Sequence, residues 1–181
     1  MSAEVRHLLN SAVPIAHTPL STITQHPEAV AALLSGTEIT AHFANSPFQE
    51  QELEDKRVRR VLSSYDVLGG PHTLNSLYTS SKFRDANPRI YKAVVAALKE
   101  AIETINRDKR AAAQLYVEEE RSKLSSDFVY QILASPDFIV TATPQGIMKF
   151  ADFLHRTGSI KNRPGSWKDV YFPEIHDLPG S

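Results

Sequence analysis

The sequence predicts an α/β fold, on three observations. Short stretches of alternating apolar and polar residues lie in the first half of the chain. Capped, helix-periodic stretches fill the second half. A glycine pair and proline, Gly69-Gly70-Pro71, separate the two. The strands number too few for a complete sheet, and this deficit is the feature that any reading of the chain has to explain.

In order along the chain, the first 25 residues read as a loop or an edge segment, because Pro14 and Pro19 interrupt the apolar positions before either period is established. A helix follows, opened by Pro27, carried by Ala29 to Leu34, and closed near Ser35 by Gly36 in a left-handed C-cap. Glu38 to Phe43 alternates and predicts a half-buried strand, with Ile39, Ala41 and Phe43 on one face and Glu38, Thr40 and His42 on the other. Asn45-Ser46-Pro47 then caps a helix over 48–54, with Pro47 at its first position and Glu50 and Glu52 near the positive end of its dipole. Val58 to Tyr65 and His72 to Thr79 predict two further strands.

In the second half Ser81 caps a short turn to Asp85, and Asn87 with Pro88 opens a long helix. Ile90, Val94, Ala97, Leu98, Ala101, Ile102 and Ile105 form its apolar stripe. Asp108 starts a helix to about Glu120, Ser125 or Ser126 one to about Leu133, and Thr143-Pro144 one that ends at Gly158. The tail from Asn162 reads as irregular, apart from a helical turn within 167–172.

Composition narrows the function. Twenty Lys and Arg against 21 Asp and Glu leave a net charge of -1, which argues against a general nucleic-acid or polyanion binder. With 41% hydrophobic and 23% charged residues the chain should fold, as disordered chains are more polar and more highly charged. No cysteine is present, so disulfides, thiolate zinc sites, iron–sulfur clusters and cysteine nucleophiles are excluded. No apolar run reaches the roughly 18 residues of a membrane span. Glu4, Arg6 and His7 stand where a signal peptide would carry its apolar core.

Phosphate-loop, dinucleotide, nucleophile-elbow and zincin motifs are all missing. The seven histidines, His7, His17, His26, His42, His72, His155 and His176, are scattered and never paired at i, i+4, so neither metal nor cofactor is expected. Glu118-Glu119-Glu120 reads as a solvated helix end. Trp167 and the aromatics Tyr91, Tyr116, Phe128 and Phe150 read as packing residues. Two loops could carry specificity. In Asn45-Ser46-Pro47-Phe48-Gln49 a helix N-terminus attracts anions, Phe48 can wall a pocket and the polar side chains can hydrogen-bond; an ordinary helix cap explains the same residues. In Gly69-Gly70-Pro71-His72-Thr73 glycine permits close backbone approach beside two polar tips, and a plain hinge or turn explains it equally.

Four ordered blocks carry a resemblance: HPEAVAALLSGTEITAHFANSPFQEQEL (26–53), RVLSSYDVLGGPHTLNSLYTSSKFRDANP (60–88), AIETINRDKRAAAQLY (101–116) and TPQGIMKFADFLHRTGSIKNRPGSWKD (143–169). From about Thr24 onward the chain resembles the later part of ABC-importer substrate-binding proteins of the nitrate, sulfonate and taurine type (NitT/TauT). The resemblance implies a periplasmic-binding-protein type II-like fold of two α/β lobes with the solute between them. It implies that the strands of an N-terminal lobe precede this stretch in full-length members, which accounts for the strand deficit.

On that mapping residues 1–64 end the second lobe, 65–71 form the crossover or hinge, and 72–181 return to the first lobe. Asn45, Ser46, Phe48 and Gln49, with Gly70, His72 and Thr73, match by position the places where the family contacts its ligand. The implied function is non-catalytic binding of a small anionic or polar solute and its delivery to ABC permease subunits, with the full-length protein in the periplasm. Enzymes making the thiamine pyrimidine share the fold but use a cysteine-rich motif that this chain lacks. A solute-sensing domain on the same lobes is a third reading.

Overall fold

The computed structural model describes residues 25–37 and 39–181. The loop or edge segment expected over the first 25 residues therefore lies, apart from Gln25, outside the described residues, as does Glu38 of the first expected strand. The chain divides into two compact units after Val67. Among the described residues the secondary structure is helical, with no strand.

The first unit is built on helix α1 (His26–Ser35) and helix α2 (Phe48–Leu53), which pack together. Pro27 sits in the first turn of α1, where its missing N–H leaves no bond unmade. Gly36, at φ 69°, ends the helix with its N–H donated to the Leu33 carbonyl, a conformation that costs glycine little. Ala29 and Ala32 are buried on one side of α1. Pro47 occupies the N-cap of α2, one place before the position expected for it, and the Asn45 carbonyl accepts from the N–H groups of Phe48 and Gln49 at 2.9 and 3.1 Å. Beyond α2, the Arg57 guanidinium is paired with Asp55 and donates to the Leu34 carbonyl at 3.1 Å, where the negative end of the α1 dipole favours a cation.

A short helix, α3 (Ser64–Leu68), carries the boundary between the units. The second unit contains α4 (Ser81–Ala86), α5 (Pro88–Arg107), α6 (Lys109–Glu119), α7 (Ser126–Ala134) and α8 (Ile147–Arg156), followed by two 3-10 turns, Trp167–Asp169 and Pro173–Ile175. The closest helix pair is α6 with α7. Ala113 is fully buried there beside Val129 and Ile132, Lys109 Nζ donates to the Leu133 carbonyl at the C-terminal end of α7, and the Arg110 guanidinium lies 4.0 Å above the Tyr130 ring. Asp108 caps α6 by accepting from Arg110 N and Ala111 N, and Ser125 caps α7 by accepting from Phe128 N.

The tail is better ordered by its contacts than its proline and glycine content suggests. Ser166 and Asp169 form a reciprocal capping box, Trp167 is buried, and Gly180 lies so close to the indole that a Cβ there would stand 2.5 Å from a ring carbon. Ser181 accepts from Ile147 N and Gly146 N and donates to the Pro144 carbonyl, which fixes the start of α8.

Several expectations are corrected. None of the three strands expected over 38–43, 58–65 and 72–79 forms among the described residues, and the last two residues of the second belong to α3. A strand is stable only against a neighbour that takes its backbone bonds, and no such neighbour lies among the described residues. Phe43 is 95% exposed while His42 on the opposite face is turned inward, the reverse of the expected burial, because His42 has a buried carboxylate to meet. Ser80, not Ser81, caps α4. The Asn87 side chain donates back to the Phe83 carbonyl and makes no cap bond to α5. Helix α8 begins at Ile147 after Gly146 at φ 66°, three residues later than the Thr143-Pro144 start. The apolar stripe of α5 contributes no buried residue, and Ile90, Val94 and Leu98 are exposed.

Candidate functional site

In the first unit polar side chains are gathered at the two helix starts and on the chain between them. Glu52 on α2 is 5% exposed, and a buried carboxylate needs a partner. His42 supplies it, with Nδ1 2.6 Å from Glu52 Oε1 and its side chain itself largely buried. An ionised carboxylate only accepts, so Nδ1 is the donor to it, and in the neutral imidazole that leaves a lone pair on Nε2. That Nε2 faces Nδ1 of His26, the first residue of α1, at 3.3 Å. The His26 ring in turn stacks on Phe48, centroids 4.9 Å apart and planes 19° from parallel.

The turn residues form a second group at the same helix start. Ser46 Oγ donates to Glu50 Oε1 at 2.8 Å, and Gln49 Nε2 donates to that oxygen at 2.8 Å and to Ser46 Oγ at 3.2 Å. Glu50 Oε2 is buried with no hydrogen-bond partner among the described residues. The Ser46–Pro47 peptide bond is cis. Of the four residues expected here, Ser46 and Gln49 meet through their side chains at Glu50, Phe48 stacks on His26 in the other group, and Asn45 contributes its backbone carbonyl as the helix cap.

In the second unit Gly70, His72 and Thr73 do not form a comparable cluster. Gly70, at φ 136°, turns the chain in open space. Thr73 is engaged in a reciprocal pair with Gln145: its N–H donates to the Gln145 carbonyl and its Oγ1 accepts from Gln145 N, both at 2.9 Å. The His72 ring packs edge-on to Phe150 at 5.6 Å, and its Cβ lies 3.1 Å from where a Cβ on Gly146 would stand. These contacts dock residues 71–73 against the start of α8, a structural use of both side chains.

A shallow groove of about 400 Å³ lies elsewhere in this unit, lined by Arg84, Pro88, Tyr91, Lys92 and Glu174 among others, and it includes none of the expected site residues. Burial, with the Glu174 carboxylate second, raises the Tyr91 hydroxyl above its usual range, so the phenol stays protonated. The hydrogen bond that the Arg84 guanidinium donates to Asp85 raises it, and its Cζ also lies 4.4 Å from the centre of the Phe172 ring.

Sequence reasoning missed the centre of the first cluster. His26 and His42 are 16 residues apart, outside any helix spacing, and Glu52 reads as a dipole partner of its helix. One signal was present: Phe48 and Glu52 are four apart on α2 and so share a face. Among the described residues no three or more His, Cys, Asp or Glu side chains form a metal cluster. No helix is long and apolar enough to cross a membrane, among the same residues. Set against family models, curated proteins and solved structures, the chain matches none of them.

Proposed function

We propose that this chain is part of a solute-binding component of an ABC importer, of periplasmic-binding-protein type II-like fold, that binds a small anionic or polar solute without covalent chemistry and hands it to membrane permease subunits from the periplasm. The observation that carries the proposal is the polar cluster around the start of α2. Two groups flank that helix start: an aromatic wall (Phe48) with two imidazoles, and an amide donor (Gln49) beside Glu50 Oε2, a buried acceptor with no partner among the described residues. A solute with an acidic head and an N–H or O–H donor, such as taurine, has a complement for each of these groups. The four ordered blocks of resemblance support the same reading. So do the exposed apolar residues outside the helices, Val61, Leu74, Leu77 and Tyr78, which a sheet of an α/β lobe would cover.

The test is a thermal-shift and calorimetric screen of the 181-residue chain against nitrate, taurine, simple sulfonates and small carboxylates. Saturable binding should raise the melting temperature, since about a hundredfold excess over Kd adds about 2.7 kcal/mol to the native state. Phe48→Ala and Gln49→Ala should remove most of that shift and leave the helical circular dichroism unchanged. Absence of a shift with every solute, or a shift that both variants retain, would overturn the proposal.

A further inference from the structure

We propose that His26 and His42 form an open binding site for a divalent transition metal ion, with Zn2+ as the reference metal, and that Glu52 is the residue that orients it. The inference rests on the two imidazoles and stands whether or not the importer reading is correct.

The distance between the rings carries the argument. His26 Nδ1 and His42 Nε2 are 3.3 Å apart. That is also within reach of an N–H···N hydrogen bond between the two rings. Two nitrogens that each lie about 2.0–2.1 Å from one tetrahedral metal ion stand about 3.3 Å apart. The two nitrogens therefore already stand at the spacing of a ligand pair, and an ion could take the place of the proton between them without moving either ring.

The surroundings agree with a ligand pair. A metal-bound histidine regularly donates its second ring N–H to a carboxylate, which fixes the tautomer and makes the ligating nitrogen more basic. His42 has that arrangement, with Nδ1 2.6 Å from the buried Glu52 carboxylate and Nε2 directed to the other imidazole. Stacking of His26 on Phe48 holds the second ring in place at little further entropic expense. With no third ligand of the usual kinds among the described residues, the remaining coordination positions go to water or to an anion from solution. Two neutral imidazoles suit the borderline metals, zinc, nickel and copper, and do not suit magnesium or calcium, which take oxygen ligands.

The experiment is calorimetric titration of the metal-stripped chain with ZnCl2 in a non-chelating buffer, alongside nitrogen NMR of the imidazoles. One equivalent of Zn2+ should bind saturably. His26→Ala and His42→Ala should each abolish that equivalent, Glu52→Gln should weaken it by about 10–100-fold, and His155→Ala should leave it unchanged. Because His42→Ala removes the partner of a buried carboxylate, folding is checked by circular dichroism. The NMR arm decides without any variant: zinc should shift His26 Nδ1 and His42 Nε2 while His42 Nδ1 keeps its proton, and MgCl2 should shift neither. No saturable zinc binding, binding that survives loss of both histidines, or zinc-induced shifts confined to other imidazoles would overturn the proposal.

Discussion

The two units bury different kinds of atom. In the first, the buried residues are two alanines of α1 and Glu52, so the only buried side chain of any size among its described residues is charged and depends on His42. In the second, Ala113, Val129, Ile132, Ala151 and Trp167 are buried, and helix caps and side-chain bonds to the backbone surround them. Hydrocarbon cores tolerate small shifts because dispersion has no preferred direction, whereas a carboxylate and an imidazole hold each other at one distance and one angle. The first unit is thus the one whose geometry is set by chemistry, and it contains the polar cluster. The second is a packing solution, and the three site residues expected in it are absorbed into that packing.

The comparison breaks first at Trp167, where the largest effect is expected. Trp167→Ala should destabilise the second unit by about 4 kcal/mol, since large aromatic deletions in cores cost about 3–5 kcal/mol. Urea denaturation followed by circular dichroism would measure it. A loss under about 1 kcal/mol would mean that the indole is a surface cover and that the apolar core of this unit is smaller than its burial implies.

Next in size is Glu52→Ala in the first unit, expected at about 3 kcal/mol because it strands a buried imidazole without its acceptor. A double-mutant cycle with His42→Ala makes the comparison sharper. If the pair holds the unit together, the double variant should cost clearly less than the sum of the single ones, with a coupling of about 1–3 kcal/mol. Additive losses would show that Glu52 acts through general packing, and the contrast between the units would disappear.

Helix starts and stops were the most legible part of the sequence. Gly36, Asp108, Ser125 and Gly158 end or cap helices where their chemistry says they should, because a cap is a local matter of one side chain and one turn. The strands were not legible in the same way. Alternation over 39–43 and 72–79 describes a preference for extended backbone, but a ladder also needs a partner strand that local pattern cannot supply, and no strand forms there. At the site, Ser46, Phe48 and Gln49 were within reach because a turn and a helix start are contiguous in sequence. The His26–His42–Glu52 chain was not, since it joins three segments through side chains alone. The reversed burial of Phe43 and His42 has the same origin: hydropathy ranks phenylalanine as the inward residue, and a specific buried acid outweighs that rank.

A smaller effect tests the role of caps in the second unit. Asp108 accepts two N–H groups at the start of α6, so Asp108→Ala should destabilise by about 1 kcal/mol, the usual worth of such a cap, and Asp108→Asn should recover most of it. Thermal denaturation would resolve the difference. A loss as large as that of Trp167→Ala would place the stability of this unit in its helix ends and not in its core.

The smallest effect separates a buried charge from an exposed one within the first unit. The hydrogen bond from the Arg57 side chain, helped by the Arg57 backbone N–H, lowers the Asp55 carboxyl from 3.8 to about 2. Because the folded value lies below the ordinary one, whatever stability the pair contributes is fully present above pH 3.8 and is lost as the pH falls toward 2. The pair is solvent-exposed, so the contribution is small and fades with added salt. Carboxyl NMR should give Asp55 a midpoint of about 2, and Arg57→Ala should return it toward 3.8 while the melting temperature at neutral pH changes by little more than a degree or two. If Arg57→Ala instead lowered stability as much as Glu52→Ala, the bond from Arg57 to the Leu34 carbonyl at the end of α1 would be the reason. The first unit would then be held by two charged anchors in place of one.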